Sequence, residues 1–370
     1  MWSYRNPVHL QFGVDAFERT AEFINGRPYV LLTYAHPLFA GLAQRLAQQA
    51  GAPLLVIDDV RENPDIDFLR DAAARLYPAS CAAEQPPVLV ALGGGSVIDS
   101  AKCLAAFEGD FARTLDYLEG REQSFSALPI IAVPTTAGTG SEVTCWATVW
   151  DPANQRKLSL AHERLYPEVA LCDPQLGRSL PRGLTVATGL DALSHALESI
   201  WNTQRNPLSL HYAETAAKTI IEVLPRLADD LDNLHLRSRM LQAATWAGLA
   251  FSNTRTALAH NISYAITLEQ GTAHGIACSF SLPRVLRWAV GHGADIDESL
   301  ARVFGVDASQ VAEAGATQLE ALLDRLGVSR ELADYGLDDS GWAALVQRSA
   351  QGARGRNFAG QPLLGDSHHI

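Results

Sequence analysis

Between Tyr29 and Val133, four short and wholly apolar runs alternate with stretches of helical periodicity. This alternation restricts the chain to a mostly parallel sheet covered on both faces. The runs are Tyr29–Thr33, Pro53–Ile57, Pro87–Leu92 and Pro129–Val133, with helical patterns over Leu38–Gln49 and Ile66–Leu76. A strand with no polar face has to be buried on both sides, and parallel strands need crossover helices that supply the cover. Ligands of such sheets bind at the carboxyl ends of the strands. After about residue 180 the strand signal stops. Helical patterns then run through 185–201, 207–228, 234–252 and 274–291, with more to about 352, punctuated by Pro181, Pro207, Pro225 and Pro283. The expectation is an α/β domain over residues 1–180 and an all-α domain over 181–370, since 370 residues are too many for one ordinary core. The stretch from Gly352 to Ile370 reads as a loose tail, and His368 and His369 within it as unstructured residues rather than ligands.

The net charge of −12 and a pI of about 5.4 argue against a nucleic-acid partner, because an acidic chain repels a phosphate backbone. No run of about 18–20 uninterrupted apolar residues is available to span a bilayer, so no membrane partner is expected. The opening Met1–Pro7 lacks the pattern of a signal peptide. Cys81, Cys103, Cys145, Cys172 and Cys278 are scattered and odd in number, which fits a reduced cytoplasmic protein with free thiols rather than a disulfide framework.

The third apolar run leads straight into Gly93-Gly94-Gly95-Ser96-Val97-Ile98-Asp99-Ser100-Ala101-Lys102. Glycines let a backbone turn tightly and approach an anion closely, and the helix N-terminus behind them offers N–H groups and a favourable dipole. Ser96 and Asp99 read as a capping pair at that helix start. The loop is neither G-x-G-x-x-G, since Ile98 stands at the last glycine position, nor a Walker loop. The fourth run ends in Pro134-Thr135-Thr136-Ala137-Gly138-Thr139-Gly140-Ser141-Glu142-Val143-Thr144, dense in hydroxyls that can bond phosphate, ribose and carboxamide together. Two polar, glycine-rich loops at two strand ends favour a dinucleotide site.

In the helical half, Asp191 and His195 stand four apart and so share one helix face. With His260 and His274 they offer one carboxylate and three imidazoles, a set suited to Fe(II) or Zn(II). An ion with open positions can polarise a carbonyl or bind an alkoxide. Taken alone, an Asp and a His at that spacing are more often a surface pair.

The two loops, Cys172-Asp173-Pro174, the helix segment Gly189–Glu198, and His260 with His274-Gly275 together resemble the iron-containing (group III) alcohol dehydrogenases over nearly the whole chain. The resemblance implies a Rossmann-like N-terminal domain, a helical C-terminal domain of the dehydroquinate synthase-like architecture, a cleft between them, and a homodimer. It implies that Asp191, His195, His260 and His274 hold Fe(II), with Zn(II) as the alternative ion. It implies that Gly94, Gly95, Ser96, Thr135, Thr136, Thr139 and Ser141, with Asp99 and Lys157, meet NAD or NADP. The reaction implied is interconversion of a small aldehyde and a primary alcohol.

Three positions depart from the family's pattern. Tyr264 stands where many members carry a further His, one helical turn after His260, and is a candidate proton relay. Tyr34 stands where NAD-preferring members carry Asp at the end of the first strand, so NADPH should be accepted. Arg255 stands five residues before His260, where a small or apolar residue is usual, and is a candidate reader of an anionic substrate. The run Asn253–Tyr264, with Trp2–Val8 and Thr144–Trp150, is similar to a subgroup associated with phosphonate metabolism that includes phosphonoacetaldehyde reductases. The rival readings are an NAD- and metal-dependent lyase of the dehydroquinate synthase type, a dehydrogenase for neutral short-chain alcohols, and a binding protein that has kept the fold. Dehydroquinate synthase uses one Glu and two His for its metal, which the Asp-plus-three-His set does not match.

Overall fold

A computed structural model describes residues 1–154 and 156–360. In chain order the strands are β1 (His9–Phe12), β2 (Tyr29–Leu32), β3 (Leu55–Ile57), β4 (Val88–Gly93), β5 (Ile130–Pro134), β6 (Trp146–Asp151), β7 (Arg156–Ala161) and β8 (Val169–Cys172). The helices that matter here are α1 (Thr20–Ile24), α2 (Pro37–Ala50), α3 (Ile66–Ala82), α4 (Gly95–Ala105), α5 (Phe111–Leu118), α6 (Arg182–Ile200), α7 (Pro207–Asp229), α8 (Leu234–Thr254), α9 (Leu258–Gln270), α10 (His274–Ser279) and α11 (Leu282–Ala289). Among the described residues three more follow, α12 (Ala294–Phe304), α13 (Val311–Leu326) and α14 (Asp339–Gln351).

The chain forms two compact units. One comprises Asn6–Thr136 and Ser141–Gly177 and contains every strand described. Its main sheet is parallel throughout in the order β1-β8-β5-β4-β2-β3. The four inner strands are wholly buried, which is why they read as unbroken apolar runs. The chain winds from β2 outward to β3 and then returns across β2 to β4. The direction of winding therefore reverses between β2 and β4, where an open α/β sheet accepts its ligand. Tyr34 and the Gly93–Ser96 loop lie just beyond those two carboxyl ends.

Among the described residues the main sheet has six strands where the sequence suggests four. β1 is an exposed edge strand with no apolar run, and β8 is only four residues long. A separate antiparallel hairpin, β6 with β7, was not foreseen either, and pairs Trp150 with Lys157. The expected reciprocal cap between Ser96 and Asp99 is also corrected. Gly94 occupies the N-cap of α4, so Ser96 falls at the second helical position and Asp99 lies too far along to reach back.

The other unit comprises Met1–Arg5, Ala137–Gly140 and the chain from Arg178 through the described residues. Its core is the packing of α6, α7 and α8 through residues such as Leu193, Leu197, Ile220, Leu224, Met240 and Ala244. Helix α6 is buried on almost every side from Thr185 to Ile200, so its polar residues lie in the interior rather than on a solvated stripe. The pattern expected over 274–291 is two helices, α10 and α11, parted at Phe280 and Ser281. Residues 352–360 are not a loose tail. Phe358 is buried and bridges Asn202, Thr203 N donates to Asn357 O, and Ala359 N donates to Trp201 O. An apolar anchor this near the end of a polar, glycine-bearing stretch leaves no periodicity to read. His368 and His369 lie outside the described residues.

Candidate active site

Burial of α6 places Asp191, His195 and Glu198 side by side in the helical core, at 4 %, 6 % and 0 % exposure. Helix α10 reaches them because Gly275 has no side chain. A Cβ there would collide with the carbonyl oxygen of Ala187 and come within 3.0 Å of Asp191 Cβ. That close approach carries His274 to Asp191. Helix α9 brings His260, and its first turn is tied to α6 by Glu198. The carboxylate accepts Ala257 N at 2.7 Å, Ala259 N at 2.5 Å and His260 N at 3.2 Å. A carboxylate thus satisfies the orphan amides at a helix N-terminus, with the dipole in its favour.

The three imidazoles converge on one oxygen. Asp191 Oδ1 lies 3.4 Å from His260 Nε2, 3.9 Å from His195 Nε2 and 3.9 Å from His274 Nε2. His195 is fixed by stacking between Phe251, at 4.1 Å, and His260, at 4.5 Å. The Nδ1 of His260 is 2.7 Å from Glu198 Oε2. A proton on Nδ1 leaves the Nε2 lone pair turned toward Asp191 Oδ1. Both atoms are buried, and among the described residues neither has a hydrogen-bond partner. Two buried acceptors facing one another are costly unless a cation stands between them. Their 3.4 Å separation is about what two light donors on one tetrahedral ion require, given bonds of about 2.0–2.2 Å. The residues therefore fit a divalent ion.

Burial opposes ionisation of Asp191, but His195, His260 and His274 hold its carboxyl far below the ordinary carboxylate range. Burial likewise opposes a charge on His260, yet Cys278, Glu198 and Asp191 push it well above its usual value. The cluster is thus built to hold positive charge, whether a proton or a metal ion.

The sheet unit carries the glycine loop and the two ends of the hydroxyl-rich loop. Tyr34, at the end of β2, packs against the glycine loop; a Cβ on Gly94 would approach its hydroxyl to 3.4 Å and Thr136 Oγ1 to 3.2 Å. The Tyr34 phenol is pushed up to about 12, chiefly by burial, with hydrogen bonds to Gly94 and Ser96 opposing and the charges of Glu62 and Asp99 reinforcing. His36 is the N-cap of α2, its ring accepting Leu38 N. Thr135 N donates to Gly93 O, which ties the two loops at their roots. Asp99 accepts Ser141 Oγ at 2.6 Å and Thr148 N at 2.8 Å. Buried Lys102 donates to Ser141 O, Ser141 Oγ, Thr144 Oγ1 and Trp146 O. Asp99, Lys102 and Ser141 thus form an internal brace that fixes the loops, and Lys157, seated over the Trp150 ring, adds its charge beside Asp99. Gly94, Gly95, Ser96, Thr135 and Thr136 belong to the sheet unit, whereas Thr139 belongs to the helical one.

Comparison with known proteins matches residues 7–174 to the family described as iron-containing alcohol dehydrogenase, and residues 185–362 to the C-terminal region of the Fe-containing alcohol dehydrogenase family. The chain belongs to the iron-containing alcohol dehydrogenases. It is therefore an oxidoreductase of a family that works with NAD. A phosphonoacetaldehyde reductase of Streptomyces viridochromogenes is 35% identical over 64% of this chain and 60% of its own length. An NAD-dependent methanol dehydrogenase of Bacillus methanolicus is 29% identical over 85% of this chain and 84% of its own. The crystal structure of a sulfoacetaldehyde reductase from Bifidobacterium kashiwanohense, in complex with NAD+, superposes with a TM-score of 0.86 at 30% identity, covering 98% of this chain and 95% of that one. No helix among the described residues is long and apolar enough to cross a membrane.

Against the family's pattern, Tyr264 stands on α9 with its ring stacked at 5.9 Å on His274 and the Arg354 guanidinium 4.9 Å above its own ring. Arg255 is exposed and forms the C-cap of α8 with φ 68° and ψ 175°, a conformation nearly confined to glycine. Asn202 Nδ2 donates to its carbonyl. This strained junction turns the chain so that the first amides of α9 meet Glu198. Two residues of the cluster carry no signal of their role in the sequence. The α6 motif contains Glu198 but does not name its partner on α9, and Cys278, four residues after His274, belongs to no ligand motif.

Proposed function

We propose that the chain reduces a short aldehyde with an anionic tail to the primary alcohol, phosphonoacetaldehyde to 2-hydroxyethylphosphonate being the first candidate. NADH or NADPH would be the reductant, and one Fe(II) or Zn(II) would be held by Asp191, His195, His260 and His274. The observation that carries the reading is the convergence of three imidazoles on Asp191 Oδ1 around two facing buried acceptors. The bound ion supplies Lewis-acid polarisation of the aldehyde, and the nicotinamide supplies hydride.

The protein's own groups do the rest. Glu198 holds the His260 tautomer and anchors α9. Tyr264, beside His274, passes a proton to the reduced oxygen from its hydroxyl or from a water it binds. Arg255 pairs with the anionic tail through its planar guanidinium. Gly94, Gly95, Ser96, Thr135, Thr136 and Thr139 contact the dinucleotide, with Asp99, Ser141 and Lys157 supporting them. In this division of labour residues 1–180 serve the cofactor, and 181–370 serve metal and substrate. Two of the relatives act, by name, on two-carbon aldehydes that bear a phosphonate or a sulfonate, which supports the anionic substrate. The likeness to a methanol dehydrogenase supports a second reading, a neutral short-chain alcohol.

A panel of phosphonoacetaldehyde, sulfoacetaldehyde, succinic semialdehyde and propanal, assayed with NADH and NADPH on Fe(II)-loaded protein, separates the two readings. The anionic reading expects the highest kcat/KM on a charged aldehyde. Equal or better turnover of propanal overturns it.

A further inference from the structure

The segment that follows α14 is tied down on both sides of an arginine. Gly355 packs so close to α14 that a Cβ there would collide with the carbonyl oxygen of Ser349 and stand 2.6 Å from that of Ala350. Asn261 of α9 donates to the same Ser349 oxygen at 2.6 Å. Asn357 Nδ2 donates to Thr256 O at 2.9 Å, and Phe358 beside it is buried. Arg354, whose carbonyl accepts Asn357 N, is fixed between these anchors. Its guanidinium carbon lies 4.9 Å from the centre of the Tyr264 ring. That ring in turn stacks on His274, with 3° between the two planes.

The exposure of the four candidate donors shows where the cluster is open. The side chains of Asp191, His195 and His260 are 6 %, 7 % and 2 % exposed, whereas that of His274 is 28 % exposed. A substrate oxygen that reaches the cluster from solvent therefore arrives beside His274. The groups stacked on His274 are Tyr264 and, next to it, Arg354, each of them only partly buried. Contact with a ring face restricts the rotamers of a guanidinium without engaging its N–H fork, which suits it to bidentate pairing with an oxyanion.

We propose that Arg354 is a specificity-determining residue whose guanidinium pairs with the anionic tail of the aldehyde. Arg255 stands next to Thr256, the residue that Asn357 holds, so the two arginines are carried on segments bonded to each other. A phosphonate, which ionises further than a sulfonate or a carboxylate, has charge and oxygens for both. The order of preference is then phosphonate first, sulfonate and carboxylate next, and a neutral tail last. The inference rests on the proposal that the substrate is an anionic aldehyde, and its test separates the two.

Arg354→Met keeps an apolar chain against the Tyr264 ring and removes the charge. KM for phosphonoacetaldehyde should rise about tenfold to a hundredfold, as expected for loss of a charge-assisted pair, with a much smaller change in kcat and in the turnover of propanal. Arg354→Lys should recover part of the loss, because it restores the charge without the fork. Calorimetry should show the same weakening in the Kd of 2-hydroxyethylphosphonate. In the unaltered protein, 2-hydroxyethylphosphonate but not 1-propanol should protect Arg354 from an arginine-directed dicarbonyl reagent, read by peptide mass spectrometry. Equal losses on phosphonoacetaldehyde and propanal would reduce Arg354 to a support for Tyr264. An undiminished preference for the phosphonate in Arg354→Met, or no protection by 2-hydroxyethylphosphonate, would also overturn the role, and each of these results leaves the anionic substrate standing. An unaltered protein that does not prefer charged aldehydes would overturn both.

Discussion

Glu198 Oε2 lies 2.7 Å from His260 Nδ1, and the same carboxylate accepts the amides of Ala257, Ala259 and His260. One buried side chain thus sets the orientation of an imidazole and the start of the helix that carries it. Burial opposes the charge on Glu198, but His260 and those amides more than offset this and keep the carboxyl below its ordinary value. Replacing Glu198 with Gln should preserve the packing yet weaken metal affinity by about 10–100-fold, as losses of such supporting partners do. Glu198→Ala should in addition unfold at lower denaturant, at about 1–3 kcal/mol for each donor left without a partner. Chelator competition and urea titration read the two effects. Unchanged metal affinity in Glu198→Gln would remove the orienting role.

We propose that Tyr34, at the end of β2, stands where a charge would select between NAD and NADP. Tyr34, pushed up to about 12, stays neutral across any practical assay range and cannot repel a 2′-phosphate as an Asp would. NADPH should therefore be accepted alongside NADH. The Glu62 carboxylate acts on the same phenol, and its negative charge would oppose a 2′-phosphate held there, so Glu62→Gln should shift the NADPH-to-NADH ratio of kcat/KM upward. A preference for NADH of about a hundredfold or more in the unaltered protein would contradict this reading.

How much of this was legible beforehand depended on the kind of signal. Three of the four inner strands announce themselves because burial on both faces forces an almost unbroken apolar sequence, whereas α6 shows as a helical pattern in spite of its buried polar residues. The four donors came from a motif, and the structure draws all four together. Glu198 was less accessible. Its importance lies in a contact with a residue 62 positions away, which has no local pattern. The edge strand β1 and the anchor Phe358 were missed for a similar reason, since each is fixed by tertiary partners and not by periodicity.

Arg255 has two separable features, a guanidinium and a strained backbone. Arg255→Ala removes the first, whereas Arg255→Gly also relieves the second, at about 1–3 kcal/mol of strain. Both should lose about tenfold to a few hundredfold in kcat/KM on phosphonoacetaldehyde, since charge-assisted hydrogen bonds contribute about 1.5–3 kcal/mol each. Both should largely spare propanal, and the glycine variant should be the more stable of the two. Equal losses on the two substrates, or no loss on either, would show that Arg255 does not read the anion.

Tyr264 is stacked against His274 and lies under Arg354. If its hydroxyl relays the proton, Tyr264→Phe should lower kcat by about 10²–10⁴-fold, the usual contribution of a positioned acid, and alter the pH profile while leaving metal content unchanged. An unchanged kcat and pH profile would reduce Tyr264 to a packing residue.

The central claim is that Asp191, His195, His260 and His274 hold one ion on which the activity depends. The direct measurement is metal content by elemental analysis beside aldehyde reduction, for the unaltered protein and for His260→Ala, with circular dichroism to follow the fold. The claim predicts about one divalent ion per chain in the former. It predicts neither metal nor activity in the variant, with helical content retained. Full activity in a metal-free His260→Ala protein would contradict it.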